Sequence, residues 1–304
     1  MRILVTGATG YMGGVLAPHL ESFGHEVVKT NSKLADLTLD GSLNRYNNIK
    51  FDRIYHLACW TQAGDFALNH PGEQWVINQK INTNMLAWWS ESQPQAKLIA
   101  MGSSCSYDPS LPHKEENYMI GTPTDSLYAY AMTKRALYAG LQAFHRQYGL
   151  RYLYLIPSTL YGPGYPMHEG KQLHFIFDLI RKIVRGKQKG EPVVLWGDGH
   201  QKRELIYAGD FIKIMVHLAE HADNEIFNMG GGDEYTIRQF ADMICETVGY
   251  DEKAIQYDVS RYVGARAKFL NTDKVRKFMP QMKLTPLKEG ISKTVAWSVN
   301  NNEK

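Results

Sequence analysis

The sequence predicts an α/β fold: a doubly wound, mainly parallel sheet followed by a smaller C-terminal α/β lobe. Three observations predict it. Short aliphatic and β-branched runs alternate with helical stretches through the first half of the chain, as βαβ units require. A glycine-rich turn separates the first strand from the first helix. After about residue 165 the alternation gives way to shorter, mixed elements.

Taken in order, residues 2–6 (RILVT) read as a buried strand ending at glycine. YMGGVLAPHLESFG (11–24) reads as a helix closed by Gly24. HEVVKT (25–30) and FDRIYHLAC (51–59) are the next two strands. Residues 73–92 carry helical periodicity, KLIAMGSS (97–104) is a fourth strand, 126–148 a long helix and RYLYLIPST (151–159) a fifth strand. Further on, EPVVLWGDG (191–199) is a strand and turn, and YTIRQFADMICETVGY (235–250) an amphipathic helix. The expected division gives residues 1–165 to a dinucleotide-binding layer, with 205–224 returning to it. Residues 166–204 and 225–304 form the smaller lobe.

Composition removes several function classes. With 44% hydrophobic residues the 304-residue chain is not a disordered one. Its net charge of +3, 34 basic against 31 acidic side chains, lacks the footprint of a nucleic-acid binder. Cys59, Cys105 and Cys245 are too few and too scattered for a disulfide scaffold or a zinc site, so no metal is expected and a reducing compartment is. No long apolar run follows the first basic residue. The expectation is a cytoplasmic protein without signal peptide, membrane span or membrane partner.

Two groups of residues carry chemistry. Gly7, Gly10 and Gly13 form G-x-x-G-x-x-G around Tyr11 and Met12, between strand and helix. Glycine permits a tight turn and lets backbone amides approach a pyrophosphate at the helix N-terminus. The second strand ends without a carboxylate to repel a 2′-phosphate; Asn31, Ser32 and Lys33 stand there instead. This favours NADP(H) and leaves NAD(H) open. Asp36 and Leu37 are candidates for the adenine. The second group is Tyr130 and Lys134, four apart on one helix face. A lysine ammonium beside a phenol favours the phenolate and lowers its pKa from about 10. Ser103 and Ser104 follow a strand directly, at the sheet edge where ligands bind.

At this point the chain resembles the extended short-chain dehydrogenase/reductase family, of the NAD-dependent epimerase/dehydratase type, over nearly its full length. The matching segments are GATGYMGG (7–14), Asp36-Leu37, FDRIYHLA (51–58), Asn78, GSSCSY (102–107), YAMTK (130–134) and IPSTLYGPG (156–164). The resemblance implies a Rossmann-type doubly wound sheet, a nicotinamide cofactor and a nucleotide-sugar substrate. It implies that Ser103 binds the reacting sugar oxygen, Tyr130 is the acid/base and Lys134 binds the nicotinamide ribose. Leu57, Ala58, Asn78 and Pro157 fall on cofactor-lining segments.

Within the family, SSCSY, PTDSLYAYAMTK, RQYGLRYLYLIPSTLYGP and VVLWGDGHQKREL look like the branch of GDP-L-fucose synthases and related GDP-sugar enzymes. There a cysteine and a histidine epimerise beside a sugar ketone, and Cys105 and His174 fall on those positions. Trp196 and Arg203 fall where that branch meets the nucleotide, and Lys268 is a diphosphate candidate. Thr159 stands where the branch has asparagine, and segments 59–71 and 261–271 depart from it. The resemblance therefore implies a GDP-sugar oxidoreductase acting at C4, with C3/C5 epimerisation left open. A pure epimerase is the alternative within chemistry. A non-catalytic dinucleotide sensor is another, against which the intact Tyr130/Lys134 pair counts. Cys105 as a small apolar filler and His174 as a helix histidine stay open as plainer readings. Helices 74–92 and 126–148, with Trp88, Trp89, Leu137 and Tyr138, imply a homodimer through a four-helix bundle.

Overall fold

The computed structural model of the protein describes residues 1–167, 172–260 and 269–301. In chain order the first half is β1 (Arg2–Thr6), α1 (Tyr11–Ser22), β2 (Glu26–Lys29), β3 (Arg53–His56), α2 (Phe66–Asn69), α3 (Pro71–Ser92), β4 (Lys97–Met101), α4 (Tyr128–Tyr148) and β5 (Tyr152–Pro157). There follow β6 (Thr159–Tyr161), α5 (Phe175–Lys189), β7 (Val194–Trp196), β8 (Lys202–Tyr207), α6 (Ala208–His221) and β9 (Glu225–Met229). The chain closes with β10 (Glu234–Thr236), α7 (Ile237–Val248), β11 (Gln256–Asp258), α8 (Asp273–Phe278) and α9 (Leu287–Asn301).

Among the described residues the main sheet has six strands in the order β2-β1-β3-β4-β5-β9. Every neighbouring pair in it is parallel. Its strands are apolar on both sides because helices cover both faces. Alternate residues feed opposite cores. Leu4, Ile54, Leu98 and Tyr154 pack under α3 and α4 with Trp89 and Leu141. Ile3, Val5, Tyr55, Ile99 and Leu153 pack under α1, α6 and α8 with Leu16, Phe211, Met215 and Val275. A third core joins α5, α7 and α9 through Ile176, Phe177, Ile180, Phe240, Ile244 and Ile291. Beside it lie a three-stranded sheet, β10-β8-β6, and a two-stranded one, β11-β7. The Thr236 side chain accepts from the Gln239 N–H, and Gln239 reaches back to the Thr236 N–H, so a reciprocal cap starts α7.

Two expectations change. The main sheet ends in β9, which the sequence division assigns to the smaller lobe, and α8 packs against the same layer. EIFNM is only five residues between polar flanks, so its pairing with β5 decides its place. β6, conversely, leaves the main sheet to pair with β8. The second correction concerns Trp88, Trp89, Leu137 and Tyr138: all are buried inside this chain. The Trp88 indole donates to Asn47 and the Trp89 indole to the Ala96 carbonyl, which gives both polar edges partners within the fold.

At the opposite edge of the sheet, Lys97 opens β4 fully buried. Its ammonium donates to the Ala219 and Ala222 carbonyls at the end of α6 and pairs with Asp223 at 2.8 Å. Burial lowers its pKa and Asp223 opposes that. Among the described residues no helix is long and apolar enough to cross a membrane.

Phe211 is completely buried in the core beneath α1 and α6. Phe211→Ala should cost about 3–5 kcal/mol of stability in chemical denaturation while leaving the secondary structure in place.

Candidate active site

Because the six strands are parallel, their carboxyl ends share one edge, and the glycine turn, Ser103, Cys105 and Pro157 emerge there. The turn after β1 is held by Gly10 N–H to Gly7 O at 3.0 Å and by Ala8 N–H to Thr30 O at the end of β2. Gly7 has φ +64°, and a Cβ on it would lie 2.8 Å from the Ala58 nitrogen. A Cβ on Gly13 would lie 2.5 Å from the Gly7 oxygen and 2.6 Å from the Ala8 Cα. These glycines let β1, α1 and the loop after β3 meet at backbone distance. Gly10 caps α1 with no side-chain hydrogen bond, and the first turn carries no acidic residue. The helix end therefore offers N–H groups and its dipole to an anion, and the turn fits a dinucleotide pyrophosphate.

After β2, Asn31 accepts from the Lys33 and Leu34 N–H groups, which folds the loop back on itself. Ser32 and Lys33 are exposed on its outside. Asp36 accepts from the Thr38 N–H and hydroxyl, and Leu37 is buried in the core below α3. Asn78 is buried with every polar atom of its side chain engaged. It donates to the Trp60 and Gln74 carbonyls and accepts from the Trp60 N–H and the Cys59 thiol. It thus holds the loop carrying Leu57, Ala58 and Cys59 against the glycine turn.

The chemical group lies between β3, β4 and α4. Ser103 Oγ and Cys105 Sγ are 3.0 Å apart in the 3₁₀ turn after β4, with Cys105 buried. Lys134 is buried, its ammonium 5.7 Å from the Tyr130 ring centre. Burial pushes the Tyr130 hydroxyl well above the ordinary tyrosine value, and Cys59 and Cys105 beside it push the same way. The expectation that Lys134 lowers this pKa is therefore reversed: lost hydration, with the two sulfurs, sets the direction. Tyr130 rests as a phenol, ready to donate. Burial, then Lys134, also lowers His56 to about 4, so this imidazole is neutral. The Asn82 amide donates to the Thr133 carbonyl, so its oxygen accepts from His56 Nε2, while Nδ1 faces the Thr6 hydroxyl. That hydroxyl accepts from Ala58 N–H, so one network joins the loop after β3 to α4.

Pro157 ends β5, and Thr159 starts β6 opposite Leu205. His174 caps α5 in the smaller lobe, 6.1 Å from the Tyr165 ring, which is itself 5.2 Å from Tyr11 of the glycine turn. It keeps an open edge, yet the protein around it lowers its pKa by loss of hydration. Trp196 and Arg203 lie apart from these residues, on β7 and β8. Trp196 is 55% exposed with Lys182 over its ring at 5.7 Å, so it is a surface indole rather than a core one. Arg203 donates to the Lys202 carbonyl; burial lowers its pKa and Glu234 opposes that. Lys268 lies outside the described residues.

Residues 3–230 match the NAD dependent epimerase/dehydratase family, and the chain belongs to it. Among curated relatives, it is 30% identical to a probable GDP-L-fucose synthase 1 of Oryza sativa, over 99% of this chain and 92% of that one. It is 29% identical to the GDP-L-colitose synthase of Yersinia pseudotuberculosis over the whole of both chains. A solved GDP-L-fucose synthetase of Naegleria fowleri superposes with TM-score 0.88 over all of this chain and 94% of that one. At 24% identity this likeness is one of fold.

Sequence reasoning missed Cys59. Both amide hydrogens of Asn78 go to carbonyls, so its oxygen only accepts, and the Cys59 thiol donates to it at 3.2 Å. The Cys59 sulfur is left to accept from the Tyr130 hydroxyl it faces. The one signal was its place directly after a strand. Cys59→Ala removes an acceptor that stabilises the phenol, so the alkaline limb of the pH–kcat profile should move to lower pH. Cys59→Ser, which can donate and accept alike, should leave it in place.

Proposed function

We propose that the protein is an NADP(H)-dependent nucleotide-sugar oxidoreductase, acting at C4 of a GDP-linked 4-keto sugar and epimerising next to the ketone. One observation carries the reading: Tyr130 faces Cys105 beside Ser103, with Lys134 at its ring, at the same sheet edge as the glycine turn. The names of the relatives support the GDP sugar. The reading gives the dinucleotide to residues 1–165 with 205–224 and, by its pairing, β9; the remainder takes the nucleotide sugar.

A bound nicotinamide supplies the hydride to C4. The rest is the work of side chains. A 4-ketone acidifies the protons at C3 and C5, so a base can remove one and an acid return it on the other face. Cys105 and His174 take these two roles; the lowered pKa of His174 keeps it neutral and able to accept. Ser103 hydrogen-bonds the C4 oxygen, and Tyr130 donates its proton there as the carbonyl is reduced. Lys134 holds the ribose of the cofactor and stabilises the phenolate left behind. Arg203 and Lys268 serve the diphosphate, Trp196 the base and Ser104 and Thr159 the sugar. Asn31, Ser32 and Lys33 meet the 2′-phosphate, with NAD(H) the weaker alternative.

Tyr130→Phe should keep NADPH affinity within about twofold while turnover falls by at least about 10²-fold. The wild type should also incorporate solvent deuterium at C3 or C5 of a GDP-linked 4-keto sugar. Turnover without deuterium at either carbon makes the enzyme a plain 4-reductase. The reading includes a cytoplasmic homodimer through α3 and α4, now by their outer faces, where Trp75, Val76 and Tyr148 are exposed. Light scattering should give about twice the 34.6 kDa chain mass.

A further inference from the structure

The segment from Cys59 to His70 departs from the branch this chain resembles, and its tip touches the strand of chain that leads to His174. The Asp65 N–H donates to Gln172 Oε1 at 2.8 Å. Gly64, at φ +78°, lies under the same side chain: a Cβ there would fall on the Gln172 carboxamide and lie 2.9 Å from its Cβ. Two residues on, the His174 carbonyl receives the Phe177 and Asp178 N–H groups and starts α5.

The loop is well anchored on its own side. Asn78 binds both backbone groups of Trp60, at 2.9 and 3.0 Å. The Trp60 ring meets Phe66 edge-on at 4.7 Å, and Phe66 meets His70 at 4.8 Å. A chain of contacts therefore runs from α3 through Trp60 and the loop tip to Gln172. On its far side Leu173 is buried in the core of the smaller lobe.

We propose that Gln172 is a positioning residue: its contact with Gly64 and Asp65 fixes the His174 end of α5 against the loop after β3, and so sets the histidine over the sugar. The effect on chemistry rests on the reading of His174 given above. Gln172, Gly64 and Asp65 are exposed, so water competes for the bond and its loss should be felt as a moderate change.

The test compares Gln172→Met, which keeps the shape and loses the acceptor, with Gln172→Glu, which keeps the acceptor. In the free protein, amide hydrogen exchange over 59–70 and 172–177 should quicken in Gln172→Met and return towards wild type in Gln172→Glu. With a GDP-linked 4-keto sugar, deuterium incorporation at C3 or C5 should slow by about five- to tenfold in Gln172→Met, at unchanged NADPH affinity. Gly64→Ala should slow it similarly, and the double variant should be no slower than the worse single one, because both break one contact. Wild-type amide exchange in Gln172→Met overturns the contact. Faster amide exchange with wild-type deuterium incorporation overturns the positioning role. Were the wild type itself to incorporate none, the reading of His174 fails instead, and amide exchange still decides the contact.

Discussion

Parallel strands cannot be joined by tight turns; each connection must cross a face of the sheet before the next strand can begin. In this chain that constraint places the ends of β1, β3, β4 and β5 on one edge, four stretches of sequence that are far apart along the polypeptide. The glycine turn, the Cys59 loop, the Ser103–Cys105 turn and Pro157 all lie there for that reason alone. Helix α4 then needs only to pack against the same face to bring Tyr130 and Lys134 alongside. The chemistry is an outcome of strand direction, and the backbone contact at Gly7 and Gly13 is what lets the first helix come close enough to share it.

The second balance is between charge and hydration. Tyr130 stands between an ammonium that favours its anion and a buried setting that opposes it, and the buried setting prevails. That outcome suits a proton donor, because the acid must still hold its proton when hydride arrives. It also gives the neighbouring thiols different parts. Both lie beside the phenol, but Cys59 is tied to Asn78 whereas Cys105 is linked to Ser103.

Much of this was legible in the sequence, and what was not has physical causes. The first five strands and the flanking helices carry their own patterns, and the turn after RILVT names its glycines. β9 was hidden because five residues have no periodicity of their own and gain their place only from β5. Trp88 and Trp89 read as an external stripe because helical spacing cannot say which face meets the sheet. Cys59 was invisible as chemistry because its role depends on Asn78 and Tyr130, nineteen and seventy-one residues away. The sign of the Tyr130 shift needed burial, which no i, i+4 spacing conveys.

Lys97 has a consequence of another kind. It sits at the amino-terminal end of β4, the far edge of the sheet from the glycine turn, where its ammonium ties β4 to the end of α6. The glycine turn, the Cys59 loop and the Ser103–Cys105 turn are gathered at the other edge. The tie between sheet and helix and the proposed chemistry thus sit at opposite ends of one strand, so a change made to firm the Lys97 end stays a full strand length from Ser103 and Cys105.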